Sequence, residues 1–306
     1  MNNRDKYDKG FEKANPSSVP SLSPVSDVNL LSRREFNEFK DIIMETCAIN
    51  LSSQKRLMLS VRISKRVRAL KKSSFAAYLS YLNSEEGRER ELHHLIDVVT
   101  TNKTDFFREA HHFEYLVSQL SGISFECGER GEPVRIWSAG CSTGEEPYTL
   151  AFVLADFFHD RLDRFSILAT DVSTDVLKKA VRGIYSDDAV DPVPKRYRKK
   201  YLMRGQGEWK GHWRVAPEIR RAVQFGHLNF NDSDFAIPNM MDVIFCRNVM
   251  IYFTEETKRS IVNKLSRYLL PGGLFFIGHS ETLHHISKSH ELVSHTVYRK
   301  RSEQEQ

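Results

Sequence analysis

The spacing of apolar residues predicts a helical segment at the beginning of the chain. Ser32 and Glu35 have the S-x-x-E spacing of a helix N-terminal capping box, and apolar side chains follow at helical intervals over residues 36–47. A helix is therefore predicted to begin near Arg33. Helical spacing continues further along the chain, so we expect a small all-helical N-terminal domain over residues 30–99.

The pattern changes from about residue 134, within a predicted second domain that covers residues 100–306. Short apolar runs alternate there with helical stretches, which predicts an α/β fold with a doubly wound, mostly parallel sheet. The final strand is expected to pair antiparallel, because only the short polar segment 284–291 precedes it. An insert at about residues 190–224 is rich in Gly, Trp and basic residues, and its turn signals predict a small antiparallel β-subdomain.

One stretch within the helical segment is strongly basic. Its apolar positions are Leu57, Val61, Val67 and Leu70, which predict an apolar stripe on a basic helix. This helix is either an ordinary solvated face or a docking surface for an acidic partner, such as nucleic acid, an anionic membrane or an acidic helix. The cations are Arg56, Arg62, Lys65, Arg66, Arg68, Lys71 and Lys72.

Composition narrows the class of protein. The chain has 306 residues and a net charge of +5, and its four cysteines lack C-x-x-C spacing. Free thiols and the absence of a signal peptide favour a reducing, cytoplasmic compartment. No apolar run approaches the roughly 20 residues that a membrane span needs. Residues 1–29 are polar and rich in Ser and Pro, so we expect a disordered leader.

The first predicted strand runs directly into a loop that suits a nucleotide-like ligand. The loop Ser138–Tyr148 contains Gly140 and Gly144 and opens a helix whose first amides are free to donate. Ligands of open α/β sheets bind beyond the carboxyl ends of the strands, where the strand order reverses. The loop lacks the Gly-Lys-Ser/Thr of a P-loop and the G-x-G-x-x-G of a dinucleotide fold, so neither of those sites is indicated.

Two further strands end in polar residues. Asp171 ends the second strand, where a carboxylate can accept from two ribose hydroxyls. The alternative role for Asp171 is an N-cap of the next helix, which Ser173 or Thr174 could fill equally well. Arg247 and Asn248 follow a buried apolar strand, and polar groups at such a position favour a site over packing.

These segments resemble the CheR family of chemotaxis receptor methyltransferases. The resemblance lies in SAGCSTGEEPY, ATDVSTDVL and FCRNVMIYF, with TTNKTDFFREAHHF upstream and GGLFFIGHSE downstream, and it covers residues 31–299. It implies a Rossmann-like class I methyltransferase sheet with an inserted β-subdomain and an all-α N-terminal domain. The implied cofactor is S-adenosylmethionine, which leaves as S-adenosylhomocysteine.

The resemblance also assigns site residues. Asn102, Thr104 and Arg108 are implied to close over the cofactor, and Glu146 with Glu145 to bind its amino-acid end. The implied contacts around the adenine and methionine portions are Asn229, Phe230, Cys246 and Arg247.

The expected reaction is methyl transfer to a glutamate carboxylate. Such a carboxylate has an unperturbed pKa of about 4.3 and is ionised at pH 7, so no general base is needed. We expect Arg108 and Tyr252 to hold the carboxylate and the sulfonium in line. The alternative is that Tyr252 is a core aromatic and Arg108 a clamp for the cofactor carboxylate.

The expected partners are methyl-accepting chemotaxis receptors, recruited through their acidic coiled-coil helices at membrane-bound arrays. The glycine-rich segment 204–213 resembles a loop that, in some family members, binds a C-terminal receptor peptide. We expect a monomer without a nucleic-acid partner. No metal is expected either, because the pairs His93–His94, His111–His112 and His284–His285 have no ligand of suitable spacing. The alternatives are a methyltransferase for another acceptor and a SAM-binding sensor without activity.

Overall fold

The computed structural model describes residues 30–302, and their N-terminal part is a bundle of four helices. The predicted leader, residues 1–29, lies outside the described residues. Ser32 Oγ accepts a hydrogen bond from Glu35 N, and the Glu35 carboxylate accepts from Ser32 N, which confirms the predicted capping box. The four helices are α1 (Arg33–Cys47), α2 (Arg56–Ala69), α3 (Phe75–Leu82) and α4 (Glu85–Val99).

The predicted apolar stripe of α2 is only partly correct. Leu57 and Val61 are 59% and 40% exposed, whereas Leu59 and Ile63 are completely buried. The rotation of the helix follows from Arg66, which lies on the inward face and makes a bidentate ion pair with Glu91 at 2.7 and 2.8 Å. The Glu91 carboxylate is buried in α4, and a buried charge must be paired.

The remaining chain contains seven helices and ten strands among the described residues. The helices are α5 (His111–Glu129), α6 (Glu145–Phe157), α7 (Thr174–Arg182), α8 (Asp187–Val190), α9 (Lys195–Tyr201), α10 (Pro217–Arg221) and α11 (Glu255–Arg267). The strands are β1 (Val134–Ala139), β2 (Phe165–Asp171), β3 (Ile184–Ser186), β4 (Leu202–Arg204), β5 (His212–Val215), β6 (Val223–His227), β7 (Met241–Cys246), β8 (Leu269–Ile277), β9 (His290–Ser294) and β10 (Val297–Lys300).

Seven of these strands form the large sheet, in the order β6-β2-β1-β7-β8-β10-β9. The five strands from β6 to β8 are parallel, and β10 pairs antiparallel with β8, as predicted. The edge strand β9 was not predicted, because it begins within the polar segment 284–291, which shows no alternation of apolar and polar residues. The strand order reverses between β1 and β7, so a ligand is expected at their carboxyl ends.

The inserted subdomain is a second, antiparallel sheet in the order β3-β5-β4. Its bounds differ from the predicted range 190–224. The first strand, β3, already begins at Ile184, and Val223 and Gln224 belong to β6 of the large sheet. The difference arises because β3 has only three residues, which is too short for a visible alternation of apolar and polar positions.

The helical bundle and the large sheet share one hydrophobic core. Phe39 and Leu59 of the bundle belong to the same buried cluster as Trp137, Ile244 and Phe275 of the sheet. The opposite face of the sheet packs on a second cluster, formed mainly with α5, α6 and the subdomain. The bundle is therefore fixed over one face of the sheet. In residues 30–302 there is no helix with the length and apolarity needed to span a membrane.

Candidate functional site

A cavity of about 430 Å³ lies between the helical bundle and the carboxyl ends of β1, β2 and β7. This volume is in the range of small-molecule sites. Nine of the eleven residues predicted from the sequence line it: Asn102, Thr104, Arg108, Glu146, Asp171, Asn229, Phe230, Arg247 and Tyr252. The cavity is therefore located at the switch in strand order and collects residues from five separate segments of the chain.

The loop after β1 forms the floor of this cavity, and its glycines are required by geometry. The amides of Gly140 and Cys141 both donate to the carbonyl of Thr170 at 2.8 and 2.9 Å, which holds the loop against the end of β2. A side chain at Gly140, whose φ is +88°, would lie 2.5 Å from a methyl carbon of Val249. The loop backbone can therefore pass close to a ligand.

Asp171 ends β2 and faces the cavity. Its Oδ2 accepts from Ser142 N at 2.8 Å and its Oδ1 from Ser173 N at 2.9 Å. Burial raises the pKa of this carboxyl, and the backbone amides act in the opposite direction. The side chain of Ser173, not Asp171, caps α7 by accepting from Val176 N. The remaining lone pairs of Asp171 can thus accept from hydroxyl groups of a ligand.

Arg247 is the most deeply buried charge of the site, with only 2% of its side chain exposed. Its Nε lies 3.5 Å from Glu146 and 3.6 Å from Glu109. Its Nη2 donates to the carbonyl of Arg108, whereas Nε and Nη1 have no hydrogen-bond partner among residues 30–302. Glu146 also accepts from Ser138 Oγ at 2.7 Å, and burial raises the pKa of Glu146.

These charges suit a ligand that carries both an ammonium and a carboxylate group. Glu146 can accept from an ammonium group, and the unpartnered donors of Arg247, with the nearby Arg108, can bind a carboxylate. Glu109 was not selected from the sequence, although it directly follows Arg108. Only the folded chain reveals its role, because its partners Arg247 and His279 are more than 130 residues away.

The connector between α4 and α5 closes the cavity from one side. The carbonyl of Asn102 accepts from Ser142 Oγ at 2.8 Å. Arg62 of α2 donates to the carbonyl of Thr100 and to the side-chain hydroxyl of Thr101. Phe107 and Glu109 have φ values of +55° and +56°, a left-handed conformation that costs non-glycine residues about 1–3 kcal/mol each. This backbone places Arg108 between them, on the cavity wall.

Two loops of the sheet are attached directly to the helical bundle. Asn229 Nδ2 donates to the carbonyl of Thr46 at 2.6 Å, and the carbonyl of Tyr252 accepts from Asn50 N at 2.8 Å. Tyr252 ends the short 3₁₀ helix Met250–Tyr252 and is half-buried at the cavity. Its side chain also packs against the shared core, so its assignment to the reacting groups stays a prediction.

The structure does not bring two of the predicted cofactor ligands, Glu145 and Cys246, into the cavity. Glu145 is buried on the other side of the loop, where its Oε2 accepts from Thr143 Oγ1 at 2.7 Å. Cys246 is the last residue of β7 and belongs to the shared apolar core. Adjacent residues on a helix or strand point in different directions, so Glu146 and Arg247 face the cavity instead.

The histidine pairs also do not form a metal site within the described residues, where no group of three or more His, Cys, Asp or Glu side chains could hold an ion. His112 is completely buried, and its Nε2 lies 2.8 Å from Thr296 Oγ1. Burial lowers the pKa of His112 to about 3. It is therefore a neutral packing residue behind Glu109, which lies 3.4 Å from its Nδ1.

Comparison with known proteins agrees with this geometry. Residues 34–100 match the family model described as CheR methyltransferase, all-alpha domain, and residues 102–299 match CheR methyltransferase, SAM binding domain. The chain is 36% identical to chemotaxis protein methyltransferase 2 of Pseudomonas aeruginosa, over 92% of this chain and 99% of that protein. It is 38% identical to the chemotaxis protein methyltransferase of Escherichia coli, over 88% and 91% of the two chains. The corresponding protein of Borreliella burgdorferi is 36% identical, over 88% and 95%.

The buried Glu145 predicts a pH-dependent stability. Burial raises the pKa of Glu145 from 4.5 to about 7. Between these two pH values the residue ionises in the unfolded chain but stays protonated in the folded chain, so the free energy of unfolding falls as the pH rises. At pH 8, we expect Glu145→Gln to increase the free energy of unfolding by about 1–3 kcal/mol. The gain should shrink towards pH 4.5.

Urea unfolding at several pH values measures this difference. Glu256→Gln, in the exposed first turn of α11, controls for the loss of one negative charge. A Glu145→Gln variant that is less stable than the wild type at pH 8 would contradict the prediction.

Proposed function

The chain belongs to the CheR family of methyltransferases and carries its S-adenosylmethionine-binding domain, and on this premise we propose that it methylates glutamate side chains of chemoreceptors. The products would be glutamate methyl esters, which adjust the signalling state of the receptors. The observation that carries the proposal is the single cavity in which Asp171, Glu146 and Arg247 lie together with Arg108 and Tyr252. Asp171, Glu146 and Arg247 suit the cofactor, and Arg108 and Tyr252 can hold the carboxylate of the acceptor.

The cavity residues fit the functional groups of S-adenosylmethionine. Asp171 would accept from the ribose hydroxyls, Glu146 from the ammonium group, and Arg247 would donate to the carboxylate. Asn102 and Thr104 belong to the connector that closes over this region, and Asn229 and Phe230 line the opposite wall. Bound S-adenosylmethionine would supply a methyl group on a sulfonium, which a carboxylate oxygen can displace directly.

Alignment is the main task that we assign to the protein, because an ionised glutamate needs no general base. Correct placement of two reactants can lower a barrier by about 7–11 kcal/mol in favourable cases. We assign Tyr252 to this alignment. Arg108 lines the same cavity as Glu146, which supports a role at the amino-acid end of the cofactor, next to the reacting groups. Its five donors allow it to contact both the cofactor and the incoming carboxylate.

The exposed face of α2 is the proposed docking surface for an acidic receptor helix. Leu57, Val61, Lys65 and Arg68 are all exposed and follow one another at helical spacing. Lys55, directly before the same helix, and Met58, in its first turn, line the cavity. An amphipathic acidic helix along this face would place one of its glutamates near the cavity entrance.

Two arginines of the basic stretch must be removed from the predicted docking surface. Arg62 donates to Thr100 and Thr101, and Arg66 is paired with the buried Glu91. Both therefore have an intramolecular function: Arg62 caps the carboxyl end of the neighbouring helix α4, and Arg66 neutralises Glu91 of that helix. Lys65, Arg68 and Lys71 remain as exposed cations for a partner, and Lys65 and Arg68 lie on α2 itself.

The small sheet offers a second contact with the receptor. Strand β4 is an edge strand of that sheet, and the Gly205–Gly207 turn follows it. A side chain at Gly205 would lie 2.1 Å from the carbonyl oxygen of Trp209, so the turn requires glycine there. A C-terminal receptor peptide could add to this edge through backbone hydrogen bonds. We further propose that the protein is a cytoplasmic monomer recruited to receptor arrays.

The central test is incubation with labelled S-adenosylmethionine and chemoreceptor-containing membranes, followed by mild base treatment. Label on the receptor that base releases as methanol would establish carboxyl methyl esters. Asp171→Asn is the matched control, since it keeps the shape of the side chain but loses its charge and should weaken cofactor binding about 10- to 100-fold. Cofactor binding without receptor label would favour another acceptor or a sensor without activity.

The role of Tyr252 predicts a specific kinetic result. Tyr252→Phe keeps the aromatic ring and removes the hydroxyl, so we expect kcat to fall about 10- to 100-fold through lost alignment. The dissociation constant for S-adenosylmethionine, measured by calorimetry, should change less than about threefold. An unchanged kcat would remove Tyr252 from the reacting groups.

The docking surface predicts a loss of receptor affinity. Reversing the two exposed charges of α2 in Lys65→Glu/Arg68→Glu should raise KM for the receptor about tenfold and reduce its dependence on salt, with cofactor affinity unchanged. The matched control is Arg161→Glu/Arg267→Glu. These two exposed residues lie shortly before the amino ends of β2 and β8, whereas the cavity lies at the carboxyl ends of the parallel strands. Equal KM values for the two double variants would exclude the α2 surface as the docking site.

A further inference from the structure

Glu281 is a buried carboxylate close to the site, but it does not line the 430 Å³ cavity. It follows the end of β8 in the segment Gly278–Glu281. Its Oε2 accepts from Gly278 N at 2.6 Å and from Asn248 N at 3.0 Å. Its Oε1 has no hydrogen-bond partner among the described residues. A buried carboxylate of this kind costs stability unless its position serves another group.

The group that Glu281 serves is the short 3₁₀ helix Met250–Tyr252. Glu281 Oε2 accepts from the amide of Asn248, which lies two residues before the first residue of that helix. Burial raises the pKa of Glu281, and the backbone amides that bind it oppose this rise. Glu281 therefore holds the amino end of the segment that ends in Tyr252.

A second carboxylate holds the same segment from the opposite side. Asn248 has a φ of +58°, and its Nδ2 donates to Glu109 Oε1 at 3.3 Å. Glu109 also accepts from His279 N at 3.2 Å. Asn248 is thus held between Glu109 and Glu281, and its neighbours in the chain are Arg247 and the helix that carries Tyr252.

The carboxyl end of this helix is fixed as well. The carbonyl of Tyr252 accepts from Asn50 N, which belongs to the helical bundle. A movement of the segment at Asn248 would therefore turn Tyr252 about a fixed end, and would not simply displace it. Small displacements of Tyr252 would impair the alignment of the reacting groups, since a shift of about 1 Å can reduce a rate about 100-fold.

We propose that Glu281 is a positioning residue that sets the location of Tyr252 for methyl transfer, an inference that rests on the proposed function. Gly278 supports it independently. Its φ is not in the left-handed region, yet a side chain there would lie 2.4 Å from Asn248 Nδ2 and 2.8 Å from Glu281 Oε2. Glycine is needed at this position because the loop and Asn248 must approach closely.

The test is a double-mutant cycle of Glu281→Gln and Tyr252→Phe in the full chain, with receptor methylation as the readout. Glu281→Gln keeps the shape but weakens the contact with the amides of Gly278 and Asn248, so kcat should fall about tenfold. The dissociation constant for S-adenosylhomocysteine should change less than about threefold. Because Glu281 acts through Tyr252, the double variant should be no more than about twofold slower than Tyr252→Phe alone.

The control is Glu255→Gln. Glu255 is an exposed residue at the same small cavity as Glu281 and forms an ion pair with Lys258. This variant should keep full activity. An unchanged kcat in Glu281→Gln, or losses that multiply in the double variant, would overturn the inference. If Glu281→Gln fails to unfold cooperatively on heating, Gly278→Ala takes its place in the cycle with the same criteria. A wild-type protein that forms no base-labile ester would overturn the proposed function itself, and the inference with it.

Discussion

The burial of Arg247 is the constraint on which the rest of the site depends. A guanidinium that is almost completely removed from water is tolerated only with carboxylates nearby, and these come from two distant segments, Glu109 of the connector and Glu146 of α6. The carbonyl of Arg108 binds the same side chain. One charge at the end of β7 thus draws the connector and the loop after β1 together, and the cavity forms where these segments meet. The unpartnered donors that remain are available for a ligand.

The helical bundle closes this cavity and does not merely precede it. Its core is continuous with one face of the sheet, so the two parts cannot separate without exposing apolar surface. Polar contacts refine the fit, among them Asn50 to Tyr252, Thr46 to Asn229, and Arg62 to the connector. Asp97 of α4 also accepts from Ser173 and Thr174 after β2. The proposed receptor surface on α2 and the proposed reacting groups are therefore parts of one rigid arrangement. A partner bound to that surface would have a fixed position relative to the cavity.

Local patterns in the sequence predicted most of the fold and much of the site. The capping box at Ser32, the parallel strands and the position of Asp171 at the cavity all follow from a few neighbouring residues. Long-range pairs could not be predicted in this way: the rotation of α2 depends on Glu91, 25 residues from Arg66, and Glu281 depends on Asn248. Glu145 and Glu146 look equivalent in the sequence, and only the direction of the helix turn separates a buried packing residue from a cavity residue. The family resemblance supplied the site residues for which composition and periodicity gave no signal.

Strained backbone surrounds the cavity on several sides, which indicates that the site is formed before a ligand arrives. Phe107, Glu109 and Ser142 adopt the left-handed conformation without being glycine, and so does Asn248, for which it is less costly. Each of these residues lies next to a group that faces the cavity. Conformations of this kind persist only where surrounding contacts determine them, and here the two carboxylates around Asn248 and the hydrogen bond from Ser142 to Asp171 do so. The stability of the shared core thus offsets the strain of a preorganised site. Under the proposed function, a carboxylate acceptor would need only the alignment that such a site supplies.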